Sequence, residues 1–147
     1  MSESKVEAFL SPEEEQEVIN AIIEAEKNTS GEIRVHIEPG TTLNPYERAQ
    51  EVFLSLKMEN TKDSNGVLIY IAVNDRTFVI YGDKGINDVV SKTFWNDTKE
   101  VIQSHFKKGQ FKQGIAEGIL KAGEELKAHF PYKSDDTNEL RNEVSKG

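Results

Sequence analysis

The stretch "GVLIYIAVNDRTFVIYG", residues 66–82, constrains this chain more than any other. Its first half is apolar at every position, which suits a strand covered on both faces rather than one with a wet side. Asn74-Asp75-Arg76 reads as a tight turn, so "TFVIY" must return antiparallel. A doubly covered strand needs a helical layer above it and another below. Acids bracket the hairpin as well, with Asp63 just before it and Asp83 just after it.

The segments before the hairpin supply part of those layers. In "LSPEEEQEVINAIIEAEKNTSG" Ser11 is a good N-cap, Pro12 suits the first helical position and Glu14 completes a capping box. Val18, Ile19, Ile22 and Ile23 form the apolar stripe, and Gly31 ends the helix. "EIRVHIE", residues 32–38, then alternates. Ile33, Val35 and Ile37 face one way, with Glu32, Arg34, His36 and Glu38 on a polar face. A second helix opens at Asn44-Pro45, with Glu47 following, and buries Ala49, Val52, Phe53 and Leu56. Strand, helix and strand make a right-handed βαβ unit with parallel strands.

After the hairpin the pattern predicts helices over about 93–107 and 110–129. Gly114, Gly118 and Gly123 in the second of these each cost about 1 kcal/mol against Ala, a cost that close helix packing offsets. Pro131 reads as the stop. The sequence therefore predicts an α/β fold: a three-layer α/β/α sandwich around a small mixed sheet, with a βαβ unit and a β-hairpin. Residues 1–131 form one domain, and 132–147, with only Leu140 and Val144 as aliphatics, a loose tail.

Several function classes drop out. A formal net charge of −8 argues against nucleic acid, which needs a basic stripe. Residues 1–31 hold eight Glu against two Lys, read as a solvated acidic helix face. No apolar run reaches the roughly 18 residues of a membrane span, and no secretory leader pattern is present, so the expectation is a cytoplasmic protein. With no cysteine there is no disulfide, thiolate zinc site or cysteine nucleophile. Glycine-rich phosphate loops, a GxSxG elbow and an HExxH helix are absent. His36, His105 and His129 lack mutual ligand spacing. "DSNG" at 63–66 opens like an EF-hand, but Val67, Ile71 and Asn74 fall where further oxygen ligands belong, so that reading fails.

Strand direction gives the bracketing acids a meaning. If the hairpin turns at 74–76, Asp83 comes opposite Val67 or Leu68, and Asp63 and Asp88 approach the same end. The parallel first strand begins there too, at Glu32. Glu32, Asp63, Asp83 and Asp88, with Asn65 and nearby backbone carbonyls, are thus expected on one rim of the sheet. Carboxylates this close repel or raise their pKa unless a cation neutralises them. An oxygen-only set favours Ca²⁺, with Mg²⁺ as the other candidate.

"TSGEIRV", "NGVLIYIAVNDRTFVIYGDKGI" and "FKKGQFKQGIAEGI" resemble, in that order, the three signature regions of the TPM domain family, and the variant "GDKGIN…FW" looks like stand-alone bacterial members. The resemblance covers roughly residues 10–130. It implies an α/β/α sandwich and associates the chain with divalent-cation binding, particularly Ca²⁺, and with acid phosphatase activity. Other members assist photosystem repair or modulate membrane receptors. By position, the family's acidic and amide sites fall on Glu32, Asp63, Asn65 and Asp83, with Asp88 and Asp97 following. Ser64-Asn65 stands where relatives often carry a second acid, and the export signal and membrane anchor of many relatives have no counterpart here.

Three readings follow. The first is a cation-binding, non-catalytic module that assists or modulates a protein partner. The alternative is a metal-assisted acid phosphatase acting on phosphomonoesters, in which Lys84 would offer charge to phosphate; the sequence has no phosphatase nucleophile pattern. The third is an interaction domain docking through Phe111 and the glycine-marked last helix.

Overall fold

The computed structural model describes residues 9–132 and 144–146. Helix α1 spans Pro12–Glu26 and strand β1 Glu32–Glu38, followed by α2 (Pro45–Ser55), β2 (Gly66–Ala72) and β3 (Thr77–Gly82). A one-turn helix α3 (Lys84–Asn87) precedes α4 (Asn96–Phe106) and α5 (Phe111–Lys127), and a short strand β4 (Val144–Lys146) comes last.

The start of α1 forms as its sequence dictates. Ser11 Oγ accepts from the Glu14 N–H at 3.1 Å, and Glu14 Oε1 accepts from the Ser11 N–H at 3.0 Å. This reciprocal pair satisfies two donors that a helix start leaves open. Asn44 Oδ1 likewise accepts from the Tyr46 N–H at the start of α2.

The sheet runs β3-β2-β1-β4, with β1 and β2 parallel and β3 antiparallel to β2. β2 is buried along its whole length. Val67, Ile69 and Ile71 join the large core beneath α1, α4 and α5, while Leu68, Tyr70 and Ala72 pack with Ala49, Val52 and Phe53 of α2. Helices on both faces make this the expected α/β/α sandwich.

The helical glycines set how closely the first layer packs. A Cβ on Gly123 would stand 2.9 Å from the Ala25 Cβ, and one on Gly118 only 2.5 Å from Ile102 Cγ1. α5 thus touches α1 almost backbone to backbone and receives side chains of α4 against its glycines.

Four expectations need correction. Residues 144–146 are not loose: they pair parallel with Val35–Ile37 of β1. Val144 enters the core, Ser145 Oγ meets His36 Nδ1 at 3.0 Å, and Lys146 Nζ reaches Glu15 at 2.7 Å. Residues 133–143 and 147 of the expected tail lie outside the described residues. Next, β1 has no wet face, because α2, β2 and β4 enclose it and all seven of its residues are buried. The hairpin turn takes residues 73–76, with Arg76 at φ 52°, so Gly82 rather than Asp83 faces Val67. Finally, α5 ends at Lys127, before Pro131, which instead bridges to Thr29.

Candidate functional site

The start of β1, the loop before β2 and the turn after β3 meet at one end of the sheet. Glu32 lies opposite Gly66, and the Asp83 N–H donates to the Gly66 carbonyl at 2.9 Å. The Glu32 N–H in turn donates to the Asn65 carbonyl at 3.3 Å. Chain direction therefore does bring the expected acids to a common rim.

Their side chains go different ways. Asp83 is the N-cap of α3: its Oδ1 accepts from the Lys84 N–H at 2.7 Å. Its Oδ2 is buried and has no hydrogen-bond partner among the described residues. Asp88 is the C-cap of the same short helix, and it is exposed. Asp63 is half-buried, whereas Glu32 is buried at 4% exposure. Asn65 is buried and holds the loop together: its N–H donates to Thr61 Oγ1 and its Nδ2 to Ser30 Oγ, both at 3.2 Å. Among the described residues, no three His, Cys, Asp or Glu side chains are grouped to hold a metal ion. The convergence is one of backbone rather than of carboxylate side chains.

Those carbonyls are packed against Gly85. A Cβ there would stand 2.2 Å from the Asp63 carbonyl oxygen and 2.5 Å from that of Ser64, and the Gly85 N–H donates to Ser64 O at 2.8 Å. Only glycine permits that approach. Ser64 itself adopts φ 50°, a left-handed conformation that is uncommon for a residue with a Cβ.

One carboxylate at this end was not foreseen. Glu26, the last residue of α1, accepts the Ile33 N–H at 2.9 Å through Oε2. Burial pushes its pKa up, the Ile33 hydrogen bond opposes that, and the Glu32 charge adds to it, leaving it at about 7. The available signal was its place four residues after Ile22, on the buried stripe of α1.

A second polar cluster lies at the other end of β1. Glu38 accepts from Arg48 Nε and Nη2, both at 2.9 Å, and from the Tyr70 hydroxyl, and His36 Nε2 lies 2.9 Å from its Oε1. Burial alone would raise the Glu38 pKa, but hydrogen bonds from Arg48, Tyr70 and His36 outweigh it and hold the group at about 2. Burial also lowers the His36 pKa, against the pull of Glu38. These donors and acceptors satisfy one another beneath α2, so the cluster ties α2 and β4 to the sheet.

The wider comparisons agree with this architecture. A family model, the TPM domain, matches residues 4–125. The NMR structure of the BA42 protein from the psychrophilic bacterium Bizionia argentinensis is 59% identical, with a TM-score of 0.92 over 99% of this chain and 100% of that one. Two solution structures show the same fold at low identity. The N-terminal domain of the cg2496 protein from Corynebacterium glutamicum is 11% identical, with a TM-score of 0.62 over 87% of this chain and 78% of that one. An N-terminal domain from P. gingivalis is 18% identical, with a TM-score of 0.67 over 85% and 82%. No curated protein sequence matches the chain. No helix among the described residues is long and apolar enough to cross a membrane. With a central buried strand, an acid-bracketed hairpin and a family match over most of its length, this chain belongs to the TPM domain family.

Proposed function

We propose that this domain binds a divalent cation, Ca²⁺ in the first place and Mg²⁺ in the second, and acts as a non-catalytic module that assists or modulates a protein partner. One observation carries the cation reading: Asp83 Oδ2, buried and without a hydrogen-bond partner among the described residues. A carboxylate oxygen removed from water without a donor costs about 1–3 kcal/mol or more. A hard cation would offset that cost. Ca²⁺ accepts carboxylate, carbonyl and water oxygens in a flexible shell of six to eight. Asp83 would supply the anionic oxygen and the loop at Asp63–Asn65 carbonyl or amide oxygens. Glu32, Asp63 and Asp88 are the remaining acids of the rim and would lower the local potential.

The test is thermal unfolding with CaCl₂, MgCl₂ or chelator in otherwise identical buffer. Binding to the folded state alone adds about 2.7 kcal/mol at a hundredfold excess over Kd. A melting temperature that no ion changes would sink the reading.

A further inference from the structure

We propose that Ser145 is a covalent modification site, a base-activated hydroxyl that takes an acyl group from an activated ester or thioester. This site is separate from the rim. Ser145 pairs with His36 towards the carboxyl end of β1, about 13 Å along the strand from Glu32 at its start.

Three side chains from two strands make up the site. His36 faces Ser145 across the parallel β1–β4 pair, and its Nδ1 lies 3.0 Å from Ser145 Oγ. Its Nε2 lies 2.9 Å from Glu38 Oε1. Arg48 and Tyr70 hold Glu38 ionised, so its carboxylate only accepts and His36 Nε2 carries a proton. Burial, with the charges of Arg48 and Arg34, lowers the His36 pKa below its ordinary 6.5 against the pull of Glu38, so the ring is neutral at pH 7. Nδ1 is then the lone-pair nitrogen, and the Ser145 hydroxyl donates to it. A hydroxyl, an imidazole and an orienting carboxylate in that order are the parts of an activated nucleophile.

The fold puts this hydroxyl where a ligand can reach it. β1 passes to β2 through α2 on one face of the sheet. β4 flanks β1 on its other side, and α5, the last described helix before it, packs on the opposite face. Strand order therefore turns at β1, and open α/β sheets take ligands beyond the carboxyl ends of their strands at such a turn. Ser145 is half-buried on the edge strand, whereas His36 and Glu38 are buried behind it. Charge favours an acyl donor over a phosphoryl one. Arg48 is bound by Glu38 and Glu51, Lys146 reaches Glu15, and Arg34 is buried. These cations are committed; a neutral carbonyl carbon requires none of them, whereas a phosphoryl group would need them.

In the transfer, Ser145 Oγ bonds to the acyl carbon as its proton passes to His36 Nδ1. The bond from that carbon to the leaving oxygen or sulfur breaks, and the imidazolium gives its proton to the leaving group. The products are an acyl-serine and a free alcohol or thiol. Ser145 is consumed once per chain, in keeping with a non-catalytic module. The acylated oxygen has no proton left to donate to His36, so modification removes one of the anchors that hold β4 to the sheet.

The experiment treats the full-length protein, in excess chelator, with p-nitrophenyl acetate and follows acetylation of each serine by peptide mass mapping. Ser104 is the internal reference, because it is exposed and donates to the Val101 carbonyl rather than to a base. Ser145 should gain acetyl about a hundredfold faster than Ser104, the lower end of general-base assistance. That preference should vanish in denaturing urea and in His36→Gln, whose melting temperature is measured alongside. In the parent the Ser145 rate should level off by pH 7, once His36 is neutral. Equal labelling of the two serines, a Ser145 rate that keeps rising with hydroxide above pH 7, or a preference that survives in His36→Gln overturns the proposal. If that variant does not fold, the pH profile and the comparison with Ser104 decide. With chelator present throughout, failure here leaves the cation reading untouched.

Discussion

The backbone of Gly85 lies so close to the carbonyl oxygen of Asp63 that a side-chain carbon would stand 2.2 Å from it. That contact joins the turn after β3 to the loop before β2 and holds Asp83 at the rim. The obstruction would be backbone rather than a flexible side chain, so it has little room to yield.

Gly85→Ala should therefore destabilise the domain by about 3 kcal/mol, or roughly 10 °C in melting temperature. Thermal unfolding measures this. A change of under 2 °C would mean that the loop moves aside freely.

Asp83→Asn separates charge from capping, because Asn also serves as an N-cap. Without cation the variant should melt within a few degrees of the parent. Its Ca²⁺-induced shift should fall to less than half. An undiminished shift would place the ion elsewhere.

Glu26 makes stability depend on pH near neutrality. Its folded pKa of about 7 lies above the ordinary 4.5, so the folded state binds the proton more tightly than the unfolded state does. Stability is highest below pH 4.5 for this group and falls by about 3 kcal/mol as pH rises through 7. Glu38 acts in the opposite sense: held at about 2, it contributes stability above pH 4.5 that is lost as pH falls towards 2. Denaturant midpoints between pH 4.5 and 8 should decline in the parent and much less in Glu26→Gln, with the Glu26 carboxyl carbon titrating near 7 by NMR.

Arg48→Met leaves Glu38 buried with its charge and two weaker partners. The expected loss is about 3 kcal/mol, in the range for breaking one side of a buried pair. Glu38→Gln in the Arg48→Met background should recover part of it. If the double variant is no better than the single one, the cost lies in lost Arg48 packing.

Gly118→Ala should lose about 2 kcal/mol despite the better helix propensity of Ala, because the new Cβ meets Ile102 at 2.5 Å. Ile102→Val in the same chain should restore part of the loss, since it trims a side chain that the new Cβ meets. Denaturant unfolding of the two single variants and the double variant checks the coupling.

Much of this molecule was legible beforehand, and the legible parts share a cause. The unbroken apolar run of β2 demanded cover on both faces, and α2 and the α1/α5 layer supply it. Ser11, Pro12 and Glu14 announced a helix start through bonds spanning three residues. β4 was not legible, because a three-residue strand in a polar stretch has no periodicity to read. The polar residues of β1 looked solvated for a related reason: alternation suggests two faces but cannot say that Arg48 and Tyr70 arrive from elsewhere to satisfy Glu38.

The rim divides in the same way. Sequence alone determined that Glu32, Asp63 and Asp83 come to one end of the sheet, because strand direction follows from a hairpin and a right-handed crossover. Only the tertiary structure decided that Asp83 turns one oxygen to the Lys84 N–H and buries the other, that Asp88 stays exposed, and that Glu26 joins the same end. Chain path is set over many residues by periodicity and chirality, whereas ligand geometry is set within an ångström by side chains from distant segments.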